Sequence, residues 1–263
     1  MDRILRPMVA GMFYPENAET LKSMVDELLH QNQASPAITP KALIVPHAGY
    51  IYSGPVAASA YGQVLPVREQ IKQVVLLAPA HRVGFRGIAT TSADKLSTPL
   101  GAITVDHEAR NKALTLPQVQ TFDMAFEGEH ALEVQLPFLQ RLLPDFKVVP
   151  FIVGQSTPQE VSELLELLWG NQHTLIVISS DLSHFLDYHS ARERDARTTQ
   201  AIVNLQADNI GAEDACGHLP IQGFLKSATD HHLHATAVDV RNSGDTAGNK
   251  RRVVGYGAYA FYY

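Results

Sequence analysis

Three short segments with unbroken apolar cores frame this chain, at residues 43–45, 73–78 and 174–178, the last two opening on Gln73 and Thr174. Short continuous runs of β-branched and aliphatic residues are the pattern of strands buried on both faces. Residues 147–153 predict a further strand, and 87–91 and 102–105 two shorter ones. The alternating segments 234–241 and 251–262 close the chain. Between the strands the spacing turns helical. Leu21, Met24, Val25, Leu28 and Leu29 predict an amphipathic helix over 17–30. Further helices are predicted over 55–65 with Pro55 in the first turn, and over 107–114 behind an Asp106 cap. Others cover 158–169, 188–205 and 219–228, and one opens at Glu129 and runs over a kink at Pro137 towards Leu143. Residues 31–40 read as a polar loop, and 6–15 as an ordered arm that packs Phe13 and Tyr14 on the body. Strands alternating with helices, with no linker or repeat, predict a single α/β domain over 1–263. Its sheet is mixed, parallel in the middle and flanked by helices.

Composition narrows the function classes. A net charge of −6 leaves no electrostatic footprint for nucleic acid. No apolar run reaches the ~18 residues that suggest a membrane span, and residues 1–7 lack the core of a signal peptide. One cysteine, Cys216, excludes an internal disulfide; a cytoplasmic location is expected.

Each buried run ends in ligand-type residues: Pro46-His47 after the first, Pro79-Ala80-His81 after the second, Asp181 and His184 after the third. If these strands are parallel neighbours, their carboxyl ends share one rim. Two neutral imidazoles and an anionic group there suffice for a metal with open positions. The alternative for each is a helix cap or a loop residue. Asp181 and His184, three apart, would share one face of an opening helical turn, with Asp181 capping the turn and orienting His184. Cys216 precedes Gly217 and a predicted helix, where a thiol pKa is depressed; its alternative is a small buried hydrophobe. Glu129, His130 and Glu133 add ligand types on one helix, and His231, His232 and His234 form a loose tract. No G-x-S-x-G, P-loop or G-x-G-x-x-G follows a strand.

With these residues in place the chain resembles the Memo family, also known in bacteria and archaea as AmmeMemoRadiSam system protein B. The resemblance runs through Arg6-Pro7, Val9-Ala10-Gly11 and Phe13-Tyr14-Pro15, then Pro46-His47-Ala48-Gly49-Tyr50 and Tyr52-Ser53-Gly54. It continues through Pro79-Ala80-His81, residues 129–137 and residues 179–184, and ends with Cys216-Gly217 and Val254-Gly255-Tyr256-Gly257. Met12 and Ala78 depart from the family pattern, which has Ser and Gly there. The resemblance implies a fold similar to the class III extradiol non-haem iron dioxygenases. It also implies that His47 and His81 are the two histidine ligands of one metal ion, that Cys216 replaces the carboxylate ligand, and that Asp181 and His184 form an outer or acid/base pair. A thiolate favours iron or copper, with zinc as a third candidate. The implied function is a metal-dependent, dioxygenase-like oxidoreductase acting on a small molecule. The alternative is a non-catalytic protein that holds a peptide or a protein partner, a radical-SAM protein among them. Phe13, Tyr14, Tyr50 and Tyr52 would then be its rim anchors.

Overall fold

The computed structural model describes residues 2–32 and 39–263, so most of the predicted loop at 31–40 lies outside the described residues. The strands are β1 (Ile4–Leu5), β2 (Ala42–Val45), β3 (Gln73–Pro79), β4 (Ile88–Thr90), β5 (Lys95–Thr98) and β6 (Gly101–Thr104), followed by β7 (Val119–Thr121), β8 (Lys147–Val153), β9 (Thr174–Ser179), β10 (His184–Leu186), β11 (His234–Asn242) and β12 (Val253–Tyr262). The helices are α1 (Ala18–Gln31), α2 (Tyr50–Gly62), α3 (His107–Ala113), α4 (His130–Glu133), α5 (Leu136–Leu142), α6 (Pro158–Leu168), α7 (Tyr188–Val203), α8 (His218–Asp230) and the short α9 (Ser243–Thr246).

The main sheet runs β10-β12-β2-β9-β3-β8-β4-β7, with β11 on the other edge of β12. Its middle, β2-β9-β3-β8, is all parallel, and β12 and β4 flank it antiparallel. The expected α/β class with a mixed, centrally parallel sheet is what the chain forms. Alternate residues of the central strands feed two cores. Leu43, Val45, Leu76 and Val177 face α1, α2 and α5, while Ile44, Val75, Leu77 and Ile178 face α6 and α8. Both faces are covered, so these strands carry no polar alternation.

Local chemistry sets most helix ends. Asp106 caps α3 through Ala109 N–H, as predicted, and Asn17 caps α1 through Thr20 N–H. Thr157 and Glu160 form a capping box on α6. Two expectations need correction. The second helix begins at Tyr50, not at Pro55, so Pro55 lies inside it. The carbonyl that loses its partner there belongs to Ile51, which is exposed to water. The segment around Pro137 is not one kinked helix. It breaks at Val134–Gln135 into α4 and α5, with Pro137 in the first turn of α5. The strands β1, β5, β7 and β10, two to four residues each, carry too little pattern to be predicted.

Gly255 ties the loop after β9 to β12. Its N–H donates to Ser183 O at 2.8 Å, its carbonyl accepts from Leu182 N–H at 2.8 Å, and Asp195 Oδ1 accepts from Ser183 N–H at 3.0 Å. A Cβ on Gly255 would stand 2.1 Å from Asp195 Oδ2. Gly255→Ala is therefore expected to destabilise by about 1–3 kcal/mol, the usual cost of overpacking. The midpoint of urea denaturation reads this directly, and an unshifted midpoint would refute it.

Candidate metal centre

Because β2, β9 and β3 are parallel neighbours, they release the chain at one rim. Pro46 has no N–H to continue the ladder of β2, and His47 follows it. The backbone N–H of His47 donates to Asp181 Oδ1 at 2.7 Å. Its ring is held by Ser179, the last residue of β9. Ser179 Oγ gives its single hydrogen to Ala131 O at 2.5 Å and accepts from Gln135 Nε2 at 2.9 Å. It can therefore only accept from His47 Nδ1, 2.9 Å away. Nδ1 carries the proton, and Nε2 keeps a lone pair 3.3 Å from Cys216 Sγ. Gln135 is itself fixed, accepting from Tyr61 OH at 2.9 Å and donating to Pro46 O at 3.0 Å.

His81 is held in the same way by a carboxylate. Glu129 Oε2 accepts its backbone N–H at 2.6 Å and Oε1 stands 2.9 Å from Nδ1. Glu129 also caps α4 through Ala131 N–H at 3.0 Å. Burial pushes the Glu129 carboxyl up, but the hydrogen bond and charge of His81 outweigh it and hold the group below its ordinary value. An ionised carboxylate only accepts, so His81 Nδ1 carries a proton towards Glu129 and Nε2 is the ring nitrogen turned to the cluster.

These constraints bring donor atoms of His47, His81 and Cys216 within 4.8 Å of one another. The His47 and His81 rings meet edge-on at 5.2 Å. His130 stacks on His81 at 5.0 Å and meets His47 at 5.4 Å, so Glu129, His81 and His130 form an overlapping second group. His130 Nδ1 is buried with no hydrogen-bond partner, and Glu129 Oε1 stands 3.5 Å from it. Burial pulls His130 down to about 4, and burial together with the neighbouring imidazoles holds His47 well below its ordinary value. Both rings are neutral, the form in which an imidazole ligates. Donors at roughly 2.1 Å for nitrogen and 2.3 Å for sulfur, set at a tetrahedral angle, stand about 3.6 Å apart. The 3.3 Å from His47 Nε2 to Cys216 Sγ is within a few tenths of that.

Three expectations are corrected by this geometry. Cys216 does lie just before the N-cap of α8, yet its thiol is not acidified. Burial, then the charge of Asp181, push it up to about 12, so desolvation outweighs the helix terminus. Asp181 and His184 do not share a helical turn. His184 lies in β10 and its Nδ1 donates to Leu182 O at 2.8 Å. The Asp181 carboxylate takes the backbone N–H groups of His47 and Ala48 instead, and burial raises it to about 7. Tyr14 and Tyr50 are core residues rather than rim anchors: their hydroxyls donate to Glu133 and to the Val134 carbonyl. Phe13 does reach the rim, with its ring 4.6 Å from His130.

Of the loosely placed ligand types, Glu129 and His130 join the cluster. Glu133 instead holds the N-terminal arm, through Met8 N–H, Val9 N–H and Tyr14 OH. The histidine tract lies elsewhere: His231 stacks on Trp169 at 3.9 Å, near the amino ends of the strands, and pairs with Glu166. Ser179 and Gln135 set the tautomer of His47 and carry no sequence signal for that role.

Comparison with known proteins shows the family. The Memo family, described as Memo-like protein, matches residues 6–260. A MEMO1 family protein of Aquifex aeolicus is 37% identical over 267 residues, covering 97% of this chain and 97% of the relative. Relatives so named in Archaeoglobus fulgidus and Methanosarcina acetivorans are 34% and 35% identical over 97% and 96% of this chain, covering 98% and 97% of their own. A solved structure of an uncharacterized protein from Escherichia coli K12 aligns with a TM-score of 0.49 at 15% identity, covering 83% of this chain and 98% of that one. Matched from arm to last strand, the chain belongs to the Memo family.

Proposed function

We propose that this protein holds one redox-active metal ion, iron or copper, on His47, His81 and Cys216, and that it oxidises or reduces a small molecule there. The observation that carries the reading is the convergence of two imidazoles and a thiol within 4.8 Å, with both imidazole tautomers fixed by buried partners. Nitrogen and thiolate donors suit iron or copper, and the bound ion would supply a one-electron couple tuned by the sulfur. The chain's own residues do the rest. Asp181 positions His47 by gripping its backbone, and Glu129 aims His81. His184, with Nδ1–H committed to Leu182 O, offers Nε2 as its base atom. It is the proton carrier of the site. Burial lowers its pKa, which keeps it neutral and ready to accept.

Alkylation of Cys216 by iodoacetamide, followed by mass spectrometry, tests the ligand set. Because burial holds the free thiol at about 12, the rates are compared at pH about 10, where alkylation should be slow with metal bound and rise after chelation, since coordination ties up the sulfur. Equal rates would place Cys216 outside the site. Anaerobically purified protein should carry about one ion per chain by elemental analysis, and oxygen uptake with catechols and thiols tests for turnover. His184→Gln should retain the metal and lower turnover by roughly 10²–10⁴. A variant as active as the wild type would remove His184 from the chemistry.

A further inference from the structure

We propose that the cleft beside the metal cluster selects small organic anions, with an apolar body and one carboxylate, and that Arg82 reads the charge. This deepens the metal-site reading by naming the substrate class. The cleft measures about 350 Å³, room for a small molecule. His81 and Cys216 form one wall, so whatever enters faces the proposed ligands. Val83, Phe85, Leu219 and Pro220 supply apolar surface.

The charge pattern sets the class. The chain has 27 acidic against 21 basic residues, yet no Asp or Glu lines this cleft. Arg82 does. It is exposed, and it has no ion pair or hydrogen bond among the described residues, so its guanidinium is available to a ligand in the cleft. It is close enough to the cluster for its charge to bear on His130. The first turn of α8 opens on the same cleft with no side-chain cap, which adds to the positive potential.

The wall that carries Arg82 is anchored. Gln155 N–H donates to Phe85 O at 2.8 Å and Gly154 N–H to Gly87 O at 3.0 Å. A Cβ on Gly154 would stand 2.4 Å from Phe85 O, so only glycine lets the segment lie this close to the end of β8. Phe85 packs edge-on against Phe122 at 5.4 Å. The cleft therefore has a fixed shape, and a bound anion meets Arg82 without reordering a loop.

Ligand-detected NMR titration with phenylacetate and its neutral isostere phenylacetamide tests this on the full-length protein as purified. Phenylacetate should bind about two- to fivefold more tightly, the scale of an ion pair at an exposed arginine. Arg82→Met should abolish the difference while leaving the amide's affinity unchanged. Leu219→Trp, which fills the cleft, should remove both with metal content retained. Equal affinities in the wild type, a preference that survives Arg82→Met, or binding that survives Leu219→Trp would each overturn the proposal. His47→Ala separates the two readings: it should lose metal yet keep the phenylacetate preference. Loss of both would place the carboxylate on the metal and overturn the role of Arg82.

Discussion

His47→Ala and His81→Ala are each expected to leave the protein folded and without metal. Each removes one of three donors, and the remaining pair gives a metal little advantage over free histidine and thiol. The graded control is Ser179→Ala. It leaves His47 in place but frees its Nδ1, which otherwise meets the Ser179 oxygen at 2.9 Å. Loss of such an outer partner typically weakens metal binding by roughly 10–100-fold, so this variant should fall between the wild type and His47→Ala. Chelator competition ranks the three affinities, and circular dichroism confirms the fold. Full retention of metal by both histidine variants would remove the metal reading at its root.

The largest effect on stability is expected at Glu133. Its carboxylate accepts from Met8 N–H at 2.7 Å, Val9 N–H at 3.0 Å and Tyr14 OH at 2.6 Å. Val9 and Tyr14 are buried, so Glu133→Ala leaves donors that water cannot readily reach. At about 1–3 kcal/mol for each unsatisfied buried group, the loss comes to about 3–5 kcal/mol, a large share of a domain's usual ~5–15 kcal/mol. Urea denaturation measures it, and limited proteolysis should show early cleavage within residues 6–15. Because Phe13 of this arm packs on His130, the variant should also disturb the histidine rim. A loss under about 1 kcal/mol with an uncut arm would show that Glu133 is not the anchor.

The central sheet was legible because burial on both faces writes itself as unbroken apolar runs. The three runs at 43–45, 73–78 and 174–178 became β2, β3 and β9, neighbours in the sheet, and His47 and His81 fell at their ends as the pattern implied. Cys216 was legible as a ligand type, but its approach to His47, across 169 positions, depends on how α8 packs. The partners were hidden for a different reason. Glu129 reaches His81 from a four-residue helix, and Gln135 sits in the break between α4 and α5, where no periodicity survives. His184 was misplaced because β10 is three residues long, with an irregular register on β12 and Phe185 at a φ of 62°. Pro55 misled because proline usually marks a helix start, and here it falls inside one, four residues after the exposed Ile51.

The chain's single tryptophan has a spectroscopic consequence. Trp169 follows α6, at the end of the sheet opposite the histidine rim. Its ring stacks on His231 at 3.9 Å, Lys41 Nζ lies 5.5 Å from its centroid, and its carbonyl accepts from the same ammonium at 2.5 Å. Its emission therefore reports whether α6, α8 and the first residues of β2 and β9 remain assembled. A molecule binding beside His81 should leave that emission unchanged, whereas unfolding should free the indole from its cation and its imidazole at once. Intrinsic fluorescence is thus a readout of folding that stays blind to occupancy of the rim, and one sample can be followed for both by pairing it with a ligand-side signal.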